Sequence, residues 1–178
     1  MTQPLHNLVT QNLSRTVQNR VTLLFCNIIF IVVMQSISEA LLPHNIIEFE
    51  LAYTTEVAQR MLNTWQSNNA MRELFFLLGV DYLFMFLYSF SIWFACVSLA
   101  GRVTPRLAHW IVVLAWLQPI AGVLDGVENF ALFHISIGDT SPSWPLLSYY
   151  CAMPKFVIVL IGILTWIIGS VVMMFRKK

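Results

Sequence analysis

From Val21 onward the chain sets long apolar stretches between short polar ones, with none of the period-two alternation of a barrel strand. Four stretches are long enough, at roughly 20 residues each, to cross about 30 Å of hydrocarbon as helices. They cover about residues 21–42, 74–100, 107–135 and 146–175, the first closed by Pro43 and the second by Gly101. The pattern predicts an all-α polytopic membrane protein, a four-helix transmembrane bundle forming one domain over residues 1–178.

The first loop has structure of its own. After Pro43, Ile47-Glu48-Phe49-Glu50-Leu51 alternates briefly. From Thr54, the residues Val57, Ala58, Met61, Leu62 and Trp65 recur at helical spacing, which predicts a short amphipathic helix over about residues 54–66 with Thr54 as its cap. Such a helix would rest on the outer surface or cap the bundle. Residues 63–69 are polar and read as a link.

Val21 to Met34 also has the positive flank and apolar run of a cleaved signal peptide. Ser38-Glu39-Ala40 is a poor cleavage site, however, and Gln35, Ser38 and Leu42 continue one helical face, so retention as a span is expected. No internal repeat is evident, which weakens the case for an inverted-repeat transporter.

Composition narrows the class further. Only 11% of residues are charged and 58% are hydrophobic, with a mean hydropathy of +0.72. Soluble domains carry roughly 25% charged residues. Disorder and an ordinary soluble enzyme are excluded, and a net charge of +1 offers no general attraction to nucleic acid.

The basic residues also set orientation. Arg15, Arg20, Arg102, Arg106, Arg176, Lys177 and Lys178 flank one side, against Arg60 and Arg72 on the other. By the positive-inside rule, both termini and the second loop are cytoplasmic. Trp144, Tyr149 and Tyr150 suit the outer interfacial belt and Trp110 the inner one.

The remaining charges are the informative ones. An ionisable side chain at the centre of a span costs roughly 2.5–3.5 kcal/mol on insertion scales and is a functional candidate by default. Glu39 lies late in the first span, Asp81 early in the second, Asp125, Glu128 and Asn129 late in the third, and Lys155 early in the fourth. Because helix directions alternate, these are all in the outer half of the bilayer, Asp81 and Lys155 about 10 Å and Asp125 roughly 15 Å below the outer helix ends.

Helical phase agrees with depth. Gln118, Gly122, Asp125 and Asn129 fall at i, i+4, i+7 and i+11 on one face, and Gly122 and Gly126 form a G-x-x-x-G pair suited to close helix approach. Lys155, Gly162 and Gly169 repeat at seven; Asp81, Met85 and Tyr88 share a face, and Asn27, Gln35 and Ser38 nearly do. Pro119 and Pro154 flank the layer, where kinks are expected. Lys155 is the expected partner of Asp125 or Glu128. Four carboxylates against one ammonium leave acids that must bind protons, meet water or hold a cation.

Other chemistry is set aside. Cys26, Cys96 and Cys151 are isolated, without the paired cysteines of a membrane disulfide oxidase. Asp125-Gly126 resembles only the start of the CDP-alcohol phosphotransferase motif, whose following Ala-Arg and later aspartates are missing. His134 lies six residues beyond Glu128 without Glu-x-x-His or His-x-x-x-His spacing, so it reads as interfacial, with no metal or cofactor implied. Ser89, Ser91 and Ser98 have no nearby histidine to make a nucleophile.

The ordered set Phe49-Glu50-Leu51-Ala52, Thr55 to Trp65, Asp81-Tyr82-Leu83-Phe84 with Tyr88, Leu124-Asp125-Gly126-Val127-Glu128-Asn129 and Lys155-Phe156 resembles a group of small uncharacterised bacterial four-helix membrane proteins. Leu-Asp-x-x-Glu-Asn is its most specific element, and the match covers most of the chain from about Glu48. The resemblance implies a bacterial inner membrane and a shared polar layer, and carries no activity. In length, membrane carboxylates and basic C-terminus the chain is also similar, in architecture only, to the sterol-isomerase and sigma-2-receptor group.

The leading expectation is a membrane protein that binds a small molecule or cation. Asp81, Asp125, Glu128 and Lys155 would line an outward-facing pocket beneath the loop helix, with Glu39 in the same layer and Asn129 and Tyr88 orienting the ligand. Three alternatives stand beside it. One is a proton- or cation-coupled transporter, and another an enzyme acting on an amphipathic lipid. The last is a structural or assembly protein whose Lys155–carboxylate pairing merely specifies helix packing. The partners implied are the bilayer, that ligand, and a second copy of the chain.

Overall fold

A computed structural model describes Asn27, Ile29 and residues 32–176. Every regular element in it is helical. Residues 32–38 are helical and run into a 3-10 turn, Glu39–Leu41. Five α-helices follow: α1 (Ile46–Glu50), α2 (Thr55–Ser67), α3 (Met71–Ala100), α4 (Pro105–Ser136) and α5 (Ser143–Arg176). Three of these, α3, α4 and α5, are long and apolar enough to cross a membrane. Of the expected first span, residues 21–26, 28, 30 and 31 lie outside the described residues.

The local signals for the loop helices are satisfied side chain by side chain. Thr54 caps α2, its Oγ1 accepting from the Val57 amide at 3.4 Å. Its apolar stripe of Ala58, Met61, Leu62 and Trp65 is buried against Leu74, Leu77 and Leu78 of α3 and Leu132 and Ile135 of α4. The helix therefore caps the bundle. Trp65 is wholly enclosed: its ring meets Phe49 edge-on at 5.1 Å, and its Nε1 donates to the Leu41 carbonyl at 2.6 Å.

The briefly alternating run Ile47–Leu51 is helical. Asn45 and Glu48 form a reciprocal cap: the Glu48 amide donates to Asn45 Oδ1 at 2.9 Å, and Asn45 Nδ2 donates to Glu48 Oε1 at 2.8 Å. That start places Phe49 and Glu50 together at the buried end of the single turn.

The long helices run antiparallel, α3 to α4 and α4 to α5, with α3 and α5 also in contact. Tyr82 Oη donates to the Gly126 carbonyl at 3.2 Å and Gln118 Nε2 donates to the Ile158 carbonyl at 3.1 Å, which fixes the registers. Both α4 and α5 continue through their internal prolines, Pro119 and Pro154. After α4, Gly138 takes a φ of +94°, the left-handed conformation that reverses the chain at a helix end. Beyond it Asp139 accepts from the Ser141 amide at 3.0 Å and from Trp144 Nε1 at 2.7 Å, and these two hydrogen bonds hold its carboxyl below the ordinary value.

Gly162 marks a close approach. A methyl group there would lie 2.5 Å from Gln118 Nε2 and 2.8 Å from Ile92 Cγ2, whereas one at Gly79 would meet nothing within 4 Å. Gly162→Ala should therefore destabilise the protein by about 1–3 kcal/mol through overpacking. Gly79→Ala should be neutral or gain up to about 1 kcal/mol from helix propensity. Paired thermal melts in detergent separate the two outcomes.

Candidate functional site: a lysine held by three carboxylates beside a cleft

At the depth where the polar residues of α3, α4 and α5 coincide, the side chain of Lys155 is buried. Its ammonium lies 2.8 Å from Asp125 Oδ1, 2.9 Å from Glu128 Oε1 and 3.3 Å from Glu50 Oε2. An ammonium has three N–H donors, and here each has a carboxylate acceptor. Asp125 and Glu128 sit three residues apart on α4 and so share the face turned to α5. Phe156 adds a ring face 4.7 Å from the ammonium.

The network extends to α3. Tyr88 Oη donates to Asp125 Oδ2 at 2.8 Å, leaving the other oxygen of Asp125 to Lys155. Asn129 Nδ2 donates to Asp81 Oδ2. Asp81 differs from the other three acids. Among the described residues no cation pairs with it, and it lies on the wall of a cleft.

The cleft has a volume of about 770 Å³ and runs between α3, α5, α1 and the N-terminal segment. Asp81, Tyr88, Asp125, Lys155 and Glu50 line its polar end. Apolar side chains, among them Leu77, Phe84, Ile92 and Val159, make most of the remaining wall. This combination of apolar lining and a few convergent polar groups is the usual form of a small-molecule site.

Six of the seven side chains expected in the layer come together. Asp125, Glu128, Asn129 and Lys155 are buried, and Asp81 and Tyr88 bond to them from α3. Lys155 takes both of its alternative partners rather than one. Glu39 does not join: it is exposed in the 3-10 turn and is not on the cleft wall. The α-helix ends at residue 38, and in the 3-10 turn that follows Leu41 takes the buried side and Glu39 the exposed one. Asn27, Gln35 and Ser38, from the face read for the first span, do line the cleft.

Glu50, which is not among the residues expected in the layer, is 7% exposed and joins it. Charge gave no hint of this. The cap at Asn45–Glu48 was the available signal, because a helix beginning at Ile46 turns Phe49 and Glu50 inward together. Ser148 Oγ then donates to the Glu50 carbonyl at 3.0 Å and ties α1 to α5. His134 stacks on Trp144 with centroids 4.2 Å apart and lies 3.6 Å from Asp139, at the end of α4 and apart from the network.

No family model matches the chain, and neither does any curated protein or solved structure.

Removing the cation strands three acids. Lys155→Met should cost about 3–5 kcal/mol, the range for breaking a buried pair from one side, read as a lowered melting temperature in detergent.

Burial pushes the Glu50 carboxyl above its ordinary value of 4.5, against the opposing pull of Lys155. A raised folded value contributes stability that is fully present below the unfolded one and is lost as pH rises through the folded one. Glu50→Gln should flatten that decline, so the melting temperature of the variant should fall less than the wild type's as pH is raised from 4.5.

Proposed function

We propose that this chain is a multi-pass membrane protein that binds a small molecule or a cation in the cleft beside Asp81. The reading places the site in the outer half of a bacterial inner membrane, with both termini and the α3–α4 turn cytoplasmic and the helix from about residue 21 completing four spans. The observation that carries it is an imbalance. Lys155 is saturated by Glu50, Asp125 and Glu128, while Asp81 faces a cavity with an amide for company and, among the described residues, no cation. A carboxylate in that position gains more from a bound cation than from the apolar wall around it.

The alternatives fit less well. A transporter needs a polar path to the other side. Below the polar layer, Ile92, Cys96, Leu99, Ile111 and Ala115 instead pack as a buried apolar cluster. An enzyme using Lys155 to stabilise developing negative charge would need the ammonium free, and its three hydrogens are spent on the protein's own acids. Saturation of Lys155 does favour a packing role for that part of the layer, which leaves Asp81 as the residue that separates binding from packing.

The test is a thermal-shift titration of the purified protein in phosphatidylcholine nanodiscs with sodium, potassium and methylammonium chloride at constant ionic strength. At least one of these should raise the melting temperature saturably, and Asp81→Asn should weaken that response at least tenfold. A wild type that responds to none of them, with Asp81→Asn altering only the baseline stability, would leave the layer with packing alone.

A further inference from the structure

The shape of the cleft says more about its occupant than the charge of Asp81 does. Its wall follows α3 from Asp81 to Ala95, a rise of about 21 Å, and α5 from Lys155 to Trp166, a rise of about 16 Å. Polar groups that face acids are confined to one end. Along the rest, Phe84, Ile92, Val159 and Ile163 present hydrocarbon. Asn27 and Ser91, the polar pair within that length, bond to each other at 2.8 Å, and Ser91 also donates to its own helix at 2.6 Å. A compact hydrated ion would fill the polar end and leave the apolar length uncovered.

The polar end also selects a head group. An anionic head would meet Asp81 with no available ammonium, since Lys155 already holds three carboxylates. A protonated amine meets a carboxylate that no cation among the described residues pairs, with the Tyr88 ring nearby on the same helix face.

We infer that the occupant is a single-chain amphiphile with an amine head, its ammonium on Asp81 and its alkyl chain laid along α3 and α5 toward Ala95 and Trp166. This rests on the reading of the cleft as a ligand site and adds the class of ligand. Specificity divides between the two ends: Asp81 reads charge, and the apolar length reads the tail.

Binding is measured on the full chain in phosphatidylcholine nanodiscs by thermal shift, with butylamine, dodecylamine, dodecanol and dodecanoate as probes. Dodecylamine should stabilise the protein at a half-saturating concentration at least tenfold below that of butylamine, and dodecanol and dodecanoate should be at least tenfold weaker than dodecylamine. Asp81→Asn should abolish the preference for amine over alcohol.

Ala95→Trp leaves the polar end intact while occupying the far end of the cleft. It should bring dodecylamine down to the level of butylamine with the methylammonium response unchanged, and it covers the case in which Asp81→Asn does not fold. Equal binding of dodecanoate or dodecanol would overturn the amine head. A dodecylamine response no stronger than that of butylamine, or one untouched by Ala95→Trp, would overturn the tail. If methylammonium still binds through Asp81 in either case, the site stands and only the amphiphile falls. If no cation of any length shifts the melting temperature, the site falls with it.

Discussion

Placing Lys155 in the interior of this bundle is the constraint around which the half nearest α1 and α2 is organised. A lone ammonium in that environment is prohibitive, and the protein meets it with acids from two elements: Asp125 and Glu128 on α4, and Glu50 on α1. The α4 acids bind α4 to α5 within the bundle. Glu50 comes from the loop region, so the same ammonium also pins the cap to the spans. Ser148 and Trp65 reinforce that attachment, one through the Glu50 carbonyl and the other through the Leu41 carbonyl.

Close packing of the helices makes the arrangement possible. The α3–α4 contact runs through Gly122 and Gly126, where added methyl groups would lie 3.1 Å from Ser89 Oγ and 3.3 Å from Met85 Sδ. On the other side of α4, Gln118 crosses to the Ile158 carbonyl over Gly162. With α4 held between its neighbours, its acids reach Lys155 on one side, and Asp125 and Asn129 reach Tyr88 and Asp81 on the other. The polar layer thus holds two hydrogen-bonded groups side by side on α4. One is closed on Lys155, and the other is open at Asp81 on the cleft wall.

On the proposed reading, that asymmetry separates stabilisation from recognition within one cluster. A buried cation with all its donors satisfied specifies helix register and cap position. A carboxylate bonded to an amide and, among the described residues, to no cation, on the wall of an apolar cleft, keeps its electrostatic demand for a partner from outside. The two roles are only a few side chains apart because Asp125 and Asn129 occupy the same face of α4.

Much of this was legible in the residue pattern. The apolar lengths set the three long helices, and the i, i+4, i+7, i+11 spacing from Gln118 to Asn129 set the buried face of α4. Alternating helix direction put Asp81, Asp125 and Lys155 at one depth. Those are consequences of helix geometry and of the cost of charge in hydrocarbon, which act locally along the chain.

Tertiary structure decided what local rules could not reach. Glu50 and Glu39 both lie in short helical segments, and while the Asn45 cap turns Glu50 inward with Phe49, nothing in the local sequence says what it will meet there. One is buried because α1 packs against α5 and brings it to Lys155; the other is exposed because Leu41 takes the buried side of their shared 3-10 turn. Likewise, only the packed arrangement shows that Lys155 is saturated while Asp81 is not, since saturation depends on which helices converge on a point in space.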